Sequence, residues 1–249
     1  GERPIADKRN SLLDEFLRYV DALLPKAIML ENVPGFTRYW KFEKFCSALR
    51  RLRYTVDYRI VDSKFFGVPQ RRRRLILLAS RFGPIAFPKP LSHVVTVRDA
   101  IGKMPKPGKT GDAAHDHLEF RSEKVVNIIK CIPKNGGSRA DLGFGRQLNC
   151  HKRVYGFTDI YGRMSWDDVA PTITGGCCSP SKGRFLHPDQ NRTISLREAA
   201  LLQGFPVEYN VDMSKGKYSA AEMIGNAIPP KLVKIHAHAI YEGLQRKCR

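Results

Sequence analysis

The sequence predicts an α/β protein: the second half of a doubly wound, mostly parallel sheet, continued by a loop-rich basic region. Three observations predict it. Up to Ser80, segments of helical apolar periodicity alternate with short strand-like runs, the order that builds an α/β layer. Leu75, Ile76, Leu77 and Leu78 form a continuous apolar run, the pattern of a strand covered on both faces. Beyond Ser80, Pro84, Pro88, Pro90, Pro105 and Pro107, with Gly102, Gly108 and Gly111, break up any long element and mark a boundary.

Asn10 is a suitable N-cap for a first helix with Leu12, Phe16, Val20 and Leu23 on one face, ending before Pro25. The run 27–30 then reads as a central strand that ends in Glu31, Asn32 and a Pro34-Gly35 turn. Residues 37–51 suit a second helix with Trp40, Phe45, Ala48 and Leu49 in the core. Residues 54–62 and 73–79 read as two further strands. In the loop-rich region, Ser122 can cap a helix that carries Val125, Ile128, Ile129 and Ile132. Residues 135–189 mix Gly, Arg, Lys, Ser and Thr with scattered aromatics, which suits a surface for nucleic acid. Ser195 and Glu198 have the spacing of a capping box, so Arg197 to Gln203 reads as a structural helix. Pro229-Pro230 suits the first turn of a last amphipathic helix to about residue 246, because that turn needs few N–H donors.

The formal charge of +19 on 249 residues favours polyanionic partners, while 42% hydrophobic content excludes a disordered basic tail. No apolar stretch reaches the about 18 residues that span a bilayer, so no membrane partner is expected. The six cysteines form no CxxC pair, which fits reduced thiols and a cytoplasmic location. His115, His117, Cys150 and His151 match no standard zinc spacing, and no metal is expected.

The stretch Phe66-Gly67-Val68-Pro69-Gln70-Arg71-Arg72-Arg73-Arg74 leads into the apolar run at Leu75. Strand side chains alternate, so Arg72 and Arg74 should point one way and Arg71 and Arg73 the other. Taken alone, four arginines equally suit a solvated face. The flanking segments change that balance. Glu31-Asn32-Val33-Pro34-Gly35 lies upstream. Tyr161-Gly162-Arg163-Met164-Ser165-Trp166 and Ala170-Pro171-Thr172-Ile173-Thr174 follow, then Arg197-Glu198-Ala199-Ala200-Leu201-Leu202-Gln203-Gly204-Phe205-Pro206 and Ile224-Gly225-Asn226-Ala227-Ile228-Pro229-Pro230. In this order they resemble the later motifs of the DNA (cytosine-5) methyltransferases, from about Asp7 to the C-terminal helix.

The resemblance implies the C-terminal half of a Rossmann-like methyltransferase sheet plus a loop-rich target-recognition domain. The expected division is 1–95 for the second half of the catalytic domain, 96–220 for target recognition and 221–249 for a segment returning to the catalytic domain. It implies S-adenosyl-L-methionine as cofactor and double-stranded DNA as partner. Glu31 would meet N3 of a cytosine and Arg74 its O2, with Arg72 orienting the catalytic groups; Asn226 would border the cofactor. Arg163, Thr172, Thr174, Lys182 and Arg184 are the expected DNA contacts. The family's glycine-rich cofactor loop and Pro-Cys nucleophile loop have no counterpart in these residues, and no cysteine here follows a proline. The chain alone is therefore expected to be inactive, whether as half of a split enzyme that works with a separate N-terminal catalytic polypeptide or as a piece of a longer enzyme. The alternative is a non-catalytic DNA-binding or specificity subunit.

Overall fold

The computed structural model describes residues 12–117, 119–142 and 159–246. Asn10, Cys150 and His151 lie outside the described residues. The chain divides into two compact units. One holds residues 1–62, 73–89 and 233–249; the other holds 63–72 and 90–232. The unit boundaries thus differ from the expected division at residues 63–72, 90–95 and 221–232, which belong to the second unit.

The first unit is built on a three-stranded sheet in the order β1-β3-β2. Strand β1 is Ala27–Asn32, β2 is Thr55–Asp62 and β3 is Arg73–Ser80. Helix α1 (Leu12–Leu23) precedes β1, and α2 (Trp40–Arg51) joins β1 to β2. Both outer strands run antiparallel to β3. This corrects the expected mostly parallel sheet. Strands β1 and β2 do run the same way, as a helical crossover requires, but β3 inserts between them in the opposite sense. A continuous apolar run reports burial on two faces and carries no direction.

The register explains the burial. Ala27 faces Ser80 and Asn32 faces Leu75 on one side of β3; Thr55 faces Ser80 and Asp62 faces Arg73 on the other. Ile28, Leu75, Leu77 and Ala79 therefore share a face, and they pack with Leu13, Val20, Phe42, Phe45 and Leu49 from the two helices. Trp40, Leu12 and Leu23, expected in the core, are exposed instead. Trp40 opens its helix, where the shielding turn before it is a 3-10 helix at Pro34–Arg38, and Leu13 takes the inward place beside it in sequence to Leu12.

In the second unit, α3 (Val97–Ile101), α6 (Leu196–Leu202) and α7 (Gly216–Asn226) share one core with Met164, Ile173, Cys177 and Phe185. Among the described residues between α3 and α6 lie two short helices, α4 (Ala113–Asp116) and α5 (Glu123–Cys131). Ile129 and Ile132 of the α5 region form a smaller cluster with Leu142, Tyr161 and Leu186. Thr96 with Asp99 and Ser195 with Glu198 form complete capping boxes, each satisfying otherwise unpaired helix donors. Ser122 occupies the N-cap position of α5 without a side-chain capping bond. The last helix, α8, spans Pro230–Gln245. Among the described residues, no helix is long and apolar enough to cross a membrane, and no group of His, Cys, Asp and Glu is arranged to hold a metal.

Candidate active site

The end of the sheet in the first unit carries an acid and a base side by side. Glu31 sits opposite Ile76, so Arg74, two residues earlier on β3, is its diagonal neighbour on the same face. Arg74 Nε lies 2.8 Å from Glu31 Oε1. Both side chains are mostly shielded, at 15% and 17% exposure, so the pair holds its geometry better than a surface ion pair does. A second guanidinium nitrogen of Arg74 donates to the Arg73 carbonyl at 2.8 Å, which fixes the fork. Beyond Glu31, Asn32 Oδ1 accepts from the Val33 amide at 2.8 Å and turns the chain into Pro34. Arg73 pairs with Asp62, projects from the opposite face and is exposed.

Arg72 lies one residue before β3, which starts at Arg73, and belongs to the second unit. It is buried there, at 4% exposure. Its guanidinium donates to the carbonyls of Ile173 and Gly225, each at 3.0 Å, and of Ala227 at 3.3 Å. Two glutamines that sequence reasoning left without a role complete this hub. Gln70 accepts from the Ile173 amide at 2.9 Å and donates to Gln203. Gln203 in turn donates to the carbonyls of Ile224 at 3.2 Å and Ala227 at 2.7 Å. Thr172 Oγ1 donates to the Arg71 carbonyl at 2.7 Å, and Gln70 forms a parallel bridge with Ala170. Segments far apart in sequence are thus tied together by side chains that satisfy buried backbone groups. The available signal was an amide at the apolar end of a helix, Leu201-Leu202-Gln203: a buried amide needs partners.

Gly225 admits the closest approach in this hub. A Cβ there would stand 2.2 Å from the Gly175 nitrogen and 2.3 Å from the Thr174 carbonyl carbon, distances only glycine allows. Asn226 is exposed and ends α7, and α8 begins beyond it at Pro230.

The expected DNA contacts divide. Arg163 is fully buried, which corrects its assignment to DNA. Its five N–H groups are spent on Ile132 O at 3.1 Å, His187 O at 3.0 Å, Gln190 O at 2.6 Å, Ile129 O at 2.8 Å and Asn191 Oδ1 at 2.7 Å. Arg184 is half-buried: Nη1 donates to the carbonyls of Gly136 at 2.8 Å, Gly137 at 3.2 Å and Arg163 at 2.9 Å, while Nε pairs with the exposed Asp159 at 3.2 Å. Thr172 uses its hydroxyl on the hub. Thr174 and Lys182 are exposed, and Lys182 belongs to a 3-10 turn at Pro180–Lys182. Arginine serves the interior here because its planar fork reaches several carbonyls from one position.

Arg197 bonds Asp112 and the carbonyls of Val207 at 3.0 Å and Tyr209 at 2.7 Å, a structural role. Arg192 grips Glu198 through two contacts of 2.7 Å. Burial alone would push the Glu198 carboxyl up, but Arg192 holds it below its ordinary value. His187, in the same cluster, is driven down to about 4 by burial.

Comparison with known proteins gives consistent results. The model of the C-5 cytosine-specific DNA methylase family matches residues 1–242. The Type II methylase M.HgiDII of Herpetosiphon aurantiacus is 38% identical over 96% of this chain and 72% of its own length. The Type II methyltransferase M1.BsuMI of Bacillus subtilis is 30% identical over 91% of this chain, which spans only 53% of that relative. Among solved structures, the Dnmt2 methyltransferase of S. pombe superposes with a TM-score of 0.55 at 20% identity, over 98% of this chain and 75% of that one. The Entamoeba histolytica methyltransferase EhMeth gives 0.59 at 15% identity, over 96% and 71%. At these identities the structural likeness establishes the α/β fold.

Proposed function

We propose a function that proceeds from one fact: the chain belongs to the C-5 cytosine-specific DNA methylase family. It carries the base-handling and target-recognition part of an enzyme that moves a methyl group from S-adenosyl-L-methionine to C5 of a flipped-out cytosine in duplex DNA. The observation that carries this reading is the shielded Glu31–Arg74 pair at 2.8 Å. C5 becomes nucleophilic only after a nucleophile adds at C6, and that addition pushes electron density onto N3 and O2. Those two acceptors are neighbours on one edge of the base. A carboxyl that delivers a proton at N3, beside a guanidinium that donates to O2, matches that edge and lowers the barrier.

In this reading Arg72 is a positioning residue. It and Gln203 hold the carbonyls of the Gly225–Ala227 segment, which leaves the exposed Asn226 side-chain amide to border the cofactor. That amide, a neutral donor and acceptor, fits the polar amino-acid end of S-adenosyl-L-methionine. When bound, the cofactor supplies an electrophilic methyl group. The Pro-Cys nucleophile and glycine-rich loop come from residues other than these 249, on the same or a separate polypeptide, and the chain alone does not methylate DNA. Thr174 and Lys182 contact the duplex.

The test supplies a segment bearing both loops, in cis or in trans, and follows single-turnover transfer from labelled S-adenosyl-L-methionine at matched DNA occupancy. Glu31→Gln and Arg74→Ala should each slow transfer on the order of 10²–10³-fold, and Arg73→Ala, on the other face of β3, far less. Equal damage from Arg73→Ala and Arg74→Ala, or DNA binding without transfer in every reconstituted form, would refute the reading.

A further inference from the structure

Outside that site, the second unit contains a cavity of about 170 Å³ in which nucleophilic and charged groups meet. Its lining includes Cys178, Arg121, Lys217, Glu119, His115 and Ser195. Glu119 is bonded by both Arg121 and Lys217, so two cations against one carboxylate leave the lining net positive. Arg121 also donates to the Cys178 carbonyl at 2.6 Å, which fixes the cysteine's backbone at the wall. His115 has both ring nitrogens engaged, Nδ1 with Ser195 Oγ at 2.7 Å and Nε2 with the Pro105 carbonyl at 2.9 Å. It is therefore no base for the thiol; the cations act on it.

Cys178 is paired with its chain neighbour. Cys177 is fully buried and Cys178 is 6% exposed, and the two thiols hydrogen-bond to one another. The Cys177 bond, with Lys217 and Arg121 nearby, draws the Cys178 thiol below its ordinary value, while Cys177 is driven well above it. The contrast within the chain is sharp: Cys46 lies in the apolar core of the first unit and is pushed up by burial to about 11, the state of an inert structural thiol.

We propose that Cys178 is a covalent modification site for small carboxylate-bearing thiol reagents, admitted by the cationic wall of this cavity. Lys217 and Arg121 attract the reagent's carboxylate, and the Cys178 thiolate attacks its electrophilic atom. With an α-halo acid, the S–C bond forms as the carbon–halogen bond breaks. The halide leaves with the electron pair, and the thiol's original proton passes to solvent.

The test uses the intact chain and two reagents that differ mainly in charge, iodoacetate and iodoacetamide, at limiting concentration near about pH 7. Peptide mass mapping over time compares Cys178 with the exposed Cys131 as internal reference. The iodoacetate-to-iodoacetamide rate ratio should be at least about threefold higher at Cys178 than at Cys131, the direction set by nearby positive charge. Lys217→Gln should lower that ratio at Cys178 and Lys217→Arg should restore it. Equal ratios at the two cysteines in the unsubstituted chain, or a Cys178 that stays unmodified while Cys131 reacts, would overturn the proposal. If Lys217→Gln fails to fold, the ratio in the unsubstituted chain decides alone.

Discussion

Replacing Arg163 with methionine separates two roles that its place in a basic, loop-rich segment leaves confounded. Methionine keeps much of the volume but removes every donor. The carbonyls of Ile129, Ile132, His187 and Gln190 and the Asn191 side-chain oxygen then lose their partner at once. Each buried acceptor left unmade costs about 1–3 kcal/mol, although some find other donors on relaxation. Against this, a buried charge disappears; its burial depresses the guanidinium's own pKa, and removing that strain returns part of the loss. The net expectation is about 3–5 kcal/mol of destabilisation, the range for deleting one side of a buried charged network. With a urea slope of about 2 kcal/mol/M, the unfolding midpoint of the second unit should fall by roughly 2 M. The assay is urea unfolding, paired with duplex DNA binding across a salt series. Arg163→Met should leave the salt slope of the folded protein unchanged. Lys182→Ala, an exposed position, should make the slope shallower by about 0.9 with little effect on stability. An unchanged midpoint for Arg163→Met, or a slope shallower by about one, would refute the buried-hub account.

Gly225→Ala should destabilise the protein although alanine is the better helix former. The propensity gain is about 1 kcal/mol, but the new methyl meets backbone atoms at 2.2 and 2.3 Å that cannot rotate away. A net loss of about 1–3 kcal/mol is expected, while Gly35→Ala, with nothing within 4 Å, should be nearly neutral; a raised midpoint for Gly225→Ala would contradict the packing. The second unit should also lose stability as pH falls from about 6.5 towards 4. His187 has a folded pKa of about 4, below its unfolded value, so the unfolded chain binds the extra proton in that window. The histidine's contribution is complete above the unfolded pKa and declines on acidification, by about 3 kcal/mol at most. Unfolding midpoints measured across that window should become less pH-dependent in His187→Gln; the same slope with and without His187 would sink this assignment.

The sequence by itself determined where most of the elements lie. Apolar runs and periodicity placed strands at 27–30, 54–62 and 73–79, within two residues of the observed Ala27–Asn32, Thr55–Asp62 and Arg73–Ser80, because period and composition are local properties of the chain. The capping box at Ser195 and the proline-led last helix were legible for the same reason. Arg73 and Arg74 were placed on opposite faces by strand parity alone, and the register agrees. Three things needed the tertiary structure. The direction of β3 depends on which strands it joins, and a two-sided apolar run is silent on that. The fates of Arg72 and Arg163 depend on carbonyls supplied by segments up to 155 and 34 residues away, and a cation's need for solvent vanishes once such a set of acceptors surrounds it. The pairing of Glu31 with Arg74 depends on a register between strands more than 40 residues apart in sequence, fixed by which side chains the core can bury and not by either segment alone.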